Sequence, residues 1–234
     1  MATISTNLHL TTARVAAACA RAGRPVQSVT LLAVSKTFGA DAVREAYAAG
    51  QRAFGENYVQ EGLAKIAALA DLRADLQWHL IGPLQSNKTR AVAEAFDWVH
   101  GVDRLKIAER LAEQRPPHLP PLQLCLQVNV SGEASKSGVA PADLPALAHA
   151  VAALPRGRVV LRGLMSIPEP AADAEARRRP HRALRECLER LNRDGLALDT
   201  LSMGMSDDLE AAIAEGATIV RVGRAIFGAR GGVA

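Results

Sequence analysis

Leu31-Leu32-Ala33-Val34-Ser35-Lys36-Thr37 decides how the rest of the chain is read. A short apolar run that closes abruptly on polar residues fits a strand buried on both faces, with its polar groups emerging at the carboxyl end. Lys36 then stands at a strand mouth. In α/β proteins that mouth is where ligands bind, and a lysine partly removed from water there can have its pKa lowered enough to act as an amine nucleophile toward an aldehyde.

Outward from this strand the same grammar repeats. Upstream, Ile4, Leu8, Val15, Cys19 and Ala22 fall near helical spacing, with Ser5 or Thr6 as cap and Gly23 as stop, which predicts an extra amino-terminal helix. Downstream, Asp41 is placed to cap a helix carrying Val43, Ala46 and Tyr47, and Gly50 to end it. Strand-like stretches follow at Ala53 to Asn57, Trp78 to Gly82, Trp98 to Val102, Leu122 to Val130, Leu161 to Ile167, Thr200 to Met203 and Ile219 to Phe227. Helical patterns separate them: Tyr58 to about Leu69, Ser86 to Ala95, a segment capped by Asp103 and stopped by Pro116, Leu144 to Leu154, Ala183 to Asn192, and Asp207 to Glu215. Arg177-Arg178-Arg179-Pro180 reads as a charged linker. Strands alternating with helices imply a parallel sheet with right-handed crossovers. Eight such units in 234 residues predict a closed α/β (TIM) barrel rather than an open doubly wound sheet, as a single domain over residues 1–234.

With 49% hydrophobic and 22% charged residues, the chain suits one domain with a large core. Aromatics are only 3%, so Ala, Leu and Val must build that core, and little is left for base stacking. The net charge of +4 is scattered, which reads as a mildly basic surface with no nucleic-acid partner. Cys19, Cys125 and Cys187 are far apart and odd in number, so neither a disulfide framework nor a CxxC motif is available, and a reducing, cytoplasmic setting is expected. No apolar run approaches the roughly 18 residues of a membrane span. No export signal is readable, and no His, Cys or carboxylate cluster has metal-ligand spacing.

In a barrel, the groups at the carboxyl ends of the strands share one mouth. Here these are Lys36, Asn57, His79 or Gly82, Ser131, Ser166, the turn Ser202-Met203-Gly204-Met205-Ser206, and the residues around Gly223. The Ser202 to Ser206 turn runs straight into a helix, whose unpaired N–H groups and positive dipole end favour an anion. Together with Val222-Gly223-Arg224 it occupies the loops that commonly hold phosphate in this fold, so the two stretches read as a phosphate cradle, with Asp207 and Asp208 directed away. A mouth lysine beside a phosphate cradle leaves two chemistries open. One is a Schiff base with an aldehyde substrate, as in barrel aldolases; the other is a Schiff base with pyridoxal 5'-phosphate. Arg221, able to point into the mouth from the last strand, can only donate, and opposite a pyridine nitrogen it would keep that nitrogen unprotonated. Glu56 is placed to pair with a cation in the mouth. His79 and His100, between apolar neighbours, read as satisfied core groups rather than bases.

Seven stretches together resemble the pyridoxal phosphate homeostasis proteins over nearly the whole chain: Ala33-Val34-Ser35-Lys36, the run from Phe54 to Glu61, the run from Trp78 to Lys88, Gln127-Val128-Asn129-Val130, Gly163-Leu164-Met165, the run from Ser202 to Asp208, and the run from Val222 to Gly228. The resemblance implies a single barrel similar to the amino-terminal domain of alanine racemase, with pyridoxal 5'-phosphate on Lys36. It further implies that Ser202, Met203, Gly204, Met205, Ser206 and Gly223 hold the phosphate, that Arg221 faces the pyridine nitrogen and that Asn57 lies beside the ring. His79 and Ser166 join them as cofactor-binding residues of the mouth. Arg224 departs from the pattern, standing where a small hydroxyl residue is expected, so only its backbone N–H carries over.

What the family implies for function is a carrier or buffer in vitamin B6 homeostasis, with no catalytic residue assigned and with cofactor-dependent apoenzymes as recipients. A two-base racemase of the related type uses a second domain that supplies a tyrosine. This chain stops soon after Phe227, and Tyr47 and Tyr58, its only tyrosines, stand at no late strand end. Two competing readings remain. One is a cofactor-dependent amino-acid racemase borrowing a base from another subunit, and the other is a lysine aldolase without the cofactor. A monomer or weak homo-oligomer is expected, and Lys88 and Lys136 read as loop cations rather than a secondary cofactor site.

Overall fold

The computed structural model describes residues 3–131, 137–171 and 173–228. Lys136, with the loop residues Glu133 and Ser135, lies outside them. The strands β1 (Thr30–Val34), β2 (Ala53–Glu56), β3 (Gln77–Leu80), β4 (Trp98–Val102), β5 (Leu122–Gln127), β6 (Val159–Met165), β7 (Thr200–Ser202) and β8 (Ile219–Val222) form one closed parallel barrel in chain order. Closure is made by β8 on β1, with Leu32 opposite Arg221 and Ala33 opposite Val222. The expected (β/α)8 architecture is therefore present.

The helices are α1 (Ile4–Arg21), α2 (Ala40–Ala48), α3 (Val59–Ala68), α4 (Thr89–Ala95), α5 (Leu105–Gln114), α6 (Leu144–Ala152), α7 (Ala174–Arg193), α8 (Leu209–Ala214) and α9 (Arg224–Phe227). The extra helix α1 precedes the barrel and packs on α2, α8 and α9. Side chains alternate across each strand, which divides the core in two. Leu32, Val34, Ile81, Trp98, Cys125, Met165 and Ile219 pack in one cluster, whereas Ala33, Val99, Val220 and Val222 join the larger cluster with the helices. On β8 this alternation turns Arg221 the same way as Ile219, into the barrel.

Several boundaries differ from the sequence pattern for identifiable reasons. The cap of α1 is Thr3, whose Oγ1 accepts the Thr6 N–H at 3.2 Å, rather than Ser5 or Thr6. Gly39 and Arg104, without side-chain capping bonds, precede α2 and α5, so Asp41 lies in a first turn and Asp103 outside its helix. The supposed linker at Arg177 to Pro180 is helical: α7 begins at Ala174 and runs through Pro180. An interior proline costs about 3 kcal/mol in its missing hydrogen bond and ring clash. Two contacts oppose that cost, the Asp173 cap accepting from Ala176 N–H at 2.7 Å and Arg178 bonded to Glu215 at 2.8 Å. At the other end β8 stops at Val222, and the apolar residues that extended the strand pattern form α9. Phe227 is buried there and stacks on Phe38 with ring centroids 5.2 Å apart.

Among the described residues no helix is long and apolar enough to cross a membrane, and no group of three His, Cys, Asp or Glu residues could hold a metal ion. All three cysteines are buried free thiols.

Candidate functional site

A cavity of about 600 Å³ opens at the carboxyl ends of the strands. Its wall includes Lys36, Asn57, Ser206, Arg221, Gly223 and Arg224, with Val34, Phe38, Ile81, Ile167 and Met205 as the apolar part. An amine, a guanidinium and the turns that follow β7 and β8 thus meet in one hollow.

Lys36 leaves the barrel immediately after β1. The residue after it, Thr37, has φ +69°, the only positive φ of a non-glycine residue among those described. Beneath this turn Ser35 and Glu56 are fully buried, and the Ser35 hydroxyl donates to Glu56 Oε1 at 2.5 Å. Glu56 was expected to meet a cation in the mouth. Its cation is instead Lys65, reaching down from α3, with Nζ 2.7 Å from Glu56 Oε1. Burial pushes the Glu56 carboxyl above its ordinary pKa, and the Lys65 and Ser35 hydrogen bonds pull it back without offsetting that.

Arg221 is buried at 4% exposure, and both of its bonds are donated: to Ser202 Oγ at 2.7 Å and to the Ser166 carbonyl at 2.8 Å. Burial lowers its pKa to about 10, so it remains a cation at neutral pH. From it a hydrogen-bonded chain runs through the barrel: Ser202 Oγ to His100 Nδ1 at 2.8 Å, His100 Nε2 to His79 Nδ1 at 2.9 Å, and His79 Nε2 to Gln77 Oε1 at 3.0 Å. The Gln77 carbonyl oxygen can only accept, so with both imidazoles neutral it fixes the direction of the bonds between them. His79 donates from Nε2 to Gln77, which leaves its Nδ1 to accept from His100 Nε2; His100 Nδ1 then accepts from the hydroxyl of Ser202, which itself accepts from Arg221. Desolvation supports this state. It lowers the His79 pKa to about 3 and, with the nearby His79 and Arg221, holds His100 well below 6.5.

The turn after β7 is held from behind. Gly204 has φ +91°, and a Cβ there would lie 2.5 Å from the Ala212 Cβ, so both conformation and space require glycine. Asp208 Oδ1 accepts the Met205 N–H at 2.6 Å, and Oδ2 lies 2.9 Å from His181 Nε2 on α7. Burial pushes the Asp208 carboxyl up, but its bonds to His181 and Met205 and the nearby Arg221 more than offset this and leave its pKa lowered. Asp208 is therefore spent on the turn itself. Asp207, expected to be directed away, instead lies in the cavity wall, exposed and 3.8 Å from the exposed Arg224 guanidinium.

Of the residues singled out from the sequence, Lys36, Asn57, Met205, Ser206, Arg221, Gly223 and Arg224 line the cavity together. Ser166 and Ser202 lie one bond behind Arg221, and Met203 and Gly204 form the packed inner side of the turn. His79 does not reach the hollow, since its ring is stacked on Trp98 at 5.3 Å and both nitrogens are engaged inside the barrel. Ser131 sits apart, bonded to Asn129, and Lys88 ends a short 3-10 turn away from the cavity. Sequence reasoning missed Lys65 and Glu61, although their i,i+4 spacing directly after Glu56-Asn57 was a usable signal. His181 was hidden in the segment next to the supposed linker.

The residues present fit an aldehyde cofactor carrying a phosphate. Asn57 Oδ1 and Ser166 Oγ are buried without a hydrogen-bond partner beside this hollow, as expected of groups arranged for a polar ligand. Cationic and turn groups gather at the β7 and β8 end, and the amine stands just beyond the end of β1.

The sequence model of the alanine racemase N-terminal domain matches residues 8–231. The chain is similar to the pyridoxal phosphate homeostasis protein of Pseudomonas aeruginosa, 65% identical over 230 residues that cover 98% of this chain and 97% of the relative. The Escherichia coli protein of the same name is 54% identical over 228 residues, 97% of each chain. Among solved structures, PipY of Synechococcus elongatus with PLP bound superposes with a TM-score of 0.79 at 45% identity, covering 92% of this chain and all of that one (100%). An alanine racemase from Corynebacterium glutamicum shares the fold, with a TM-score of 0.65 at 20% identity over 95% of this chain and 59% of its own.

Proposed function

The chain belongs to the pyridoxal phosphate homeostasis protein family, and from that premise we propose that it binds pyridoxal 5'-phosphate reversibly on Lys36 and carries or buffers it rather than turning over a substrate. The observation that carries this reading is the placement of Lys36, Arg221 and the Ser206 and Gly223 turns in one cavity. When bound, the cofactor supplies an aldehyde that condenses reversibly with an amine, releasing water.

The chain's own groups divide the remaining work. Lys36 supplies the amine, and the turns after β7 and β8 supply the anion-binding end. Arg221, oriented by Ser202 and Ser166, presents donors only, and a ring nitrogen facing it stays unprotonated. That weakens electron withdrawal by the ring, which suits holding the cofactor more than activating a substrate. Among the described residues, the ionisable side chains of the cavity wall are Lys36, Asp207, Arg221 and Arg224. Tyr47, which could have offered a phenol, instead donates to Asp75 at 2.7 Å, and Tyr58 is 61% exposed. These placements support a carrier over a two-base racemase.

Borohydride reduction of the cofactor-loaded protein followed by peptide mapping tests the assignment. The adduct is expected on Lys36, and Lys36→Ala is expected to lose it; a variant that fixes cofactor at the wild-type level would overturn the role of Lys36. Incubation with single amino-acid enantiomers in deuterium oxide tests the carrier reading, because sustained α-proton exchange at an enzyme-like rate counts against it.

A further inference from the structure

The geometry points to Glu61 and Lys65 as positioning residues that aim Lys36 into the cavity by gripping both peptide groups on either side of it. This inference rests on the cofactor reading and adds residues that no strand-end reasoning includes. The peptide before the Lys36 Cα ends in the Ser35 carbonyl, which accepts from Lys65 Nζ at 2.6 Å. The peptide after it carries the Thr37 N–H, which donates to Glu61 Oε1. The two grips belong to one cluster, since Lys65 Nζ also donates to Glu61 Oε1 and to Glu56 Oε1, each at 2.7 Å. The ammonium has three protons and three oxygen acceptors, so none is left over.

Several features separate this cluster from an ordinary ion pair between helix and sheet. Lys65 is 5% exposed and Glu56 is fully buried, and a buried pair of this kind is weak evidence of stabilisation on its own account. Its bonds converge on one turn. That turn is strained, for Thr37 is β-branched and sits at φ +69°, a region such a residue occupies when its surroundings impose it. Fixing both peptide planes fixes φ and ψ of Lys36, hence the direction of its Cα–Cβ bond. Four flexible side-chain bonds then begin from a settled origin, which raises the share of time the amine spends within reach of an aldehyde in the hollow.

Pyridoxamine 5'-phosphate separates positioning from general damage, because it carries the same ring and phosphate but an amine in place of the aldehyde and cannot condense with Lys36. Glu61→Leu is expected to lower the equilibrium constant for covalent attachment of pyridoxal 5'-phosphate, read from the imine absorption band and the borohydride-fixed fraction, about tenfold. The same variant is expected to bind pyridoxamine 5'-phosphate as wild type does. Glu61→Gln, which keeps an acceptor for the Thr37 N–H, is expected to recover most of the loss. Thr37→Gly added to Glu61→Leu is also expected to recover part of it, since glycine adopts a positive φ without help. If Glu61→Leu does not fold, Glu61→Asp, one methylene shorter, carries the same comparison. Unchanged covalent attachment in Glu61→Leu, or in Glu61→Asp where that stands in for it, overturns the inference, as does an equal loss of pyridoxamine 5'-phosphate affinity. A wild-type protein that fixes no cofactor on Lys36 fails the cofactor reading itself and takes the inference with it.

Discussion

Replacing His79 by Asn tests the neutral, directional hydrogen-bond chain that orients Arg221. Both inward-facing histidines are held neutral in the fold, with the His79 pKa lowered to about 3 and that of His100 well below 6.5. In the unfolded chain each titrates near 6.5. Between these values the unfolded state binds more protons, so the stability each neutral histidine contributes is present above about pH 6.5 and is lost as pH falls. For His79, at pH 5 the unfolded form gains RT ln(1 + 10^1.5), about 2 kcal/mol, and at pH 8 almost nothing. His100 adds a loss of the same sign. Asparagine at position 79 offers an oxygen near the place of Nδ1 for the His100 N–H but does not titrate. The variant pays a fixed penalty for the lost stacking on Trp98, yet its loss between the two pH values should be smaller than that of wild type by about 2 kcal/mol. Urea unfolding of the cofactor-free protein at both pH values measures this. Glu56 works with the opposite sign, because a raised carboxylate pKa stabilises most at low pH and loses that contribution as pH rises, but it is common to both proteins and cancels in the difference. A variant with the full wild-type pH dependence would show that His79 is not held neutral, and the assigned direction of the chain from Arg221 would fall with it.

Gly204→Ala adds a left-handed alanine to a Cβ contact of 2.5 Å with Ala212, and the two effects together should cost roughly 2–4 kcal/mol. A melting temperature within a degree of wild type would contradict that packing. Asp208→Ala removes the acceptor of the Met205 N–H and the partner of His181, so it should weaken binding of pyridoxal 5'-phosphate while leaving attachment of pyridoxal, which lacks the phosphate, near its wild-type level. Calorimetric titration with both ligands checks this, and an equal loss for the two would place Asp208 outside the phosphate turn.

The parts of this protein that were legible in the sequence are those carried by local pattern. An apolar run ending at Ser35-Lys36, a glycine-bearing turn before a helix, and an arginine two residues after Ile219 each declare a strand end or an inward face, because the side-chain period of a strand is two and barrel ligands gather at carboxyl ends. The barrel follows from repetition of that pattern. Boundaries followed less well where a local rule was outweighed from afar: Pro180 argued for a break, but the Asp173 cap and the Glu215 carboxylate hold α7 together across it. The groups that orient the site were the least legible, because their partners are distant in sequence.

Alternation along β3 and β4 is enough to turn His79 and His100 inward, but nothing local shows that His100 meets Ser202, 102 positions away. Once that contact is known, chemistry that was visible from the start becomes decisive. Gln77 Oε1 can only accept, so with both imidazoles neutral each carries its proton on Nε2, and Ser202 donates to His100 while accepting from Arg221. The same reasoning applies on the opposite side of the mouth. Lys65 can only donate, so the three oxygens it reaches must accept, and one of them is the carbonyl of the residue before Lys36. In both places a group that can only donate or only accept converts a set of contacts into a set of directions. Strand ends reveal which side chains face the ligand, and these one-way hydrogen-bonding groups determine how Lys36 and Arg221 are held there.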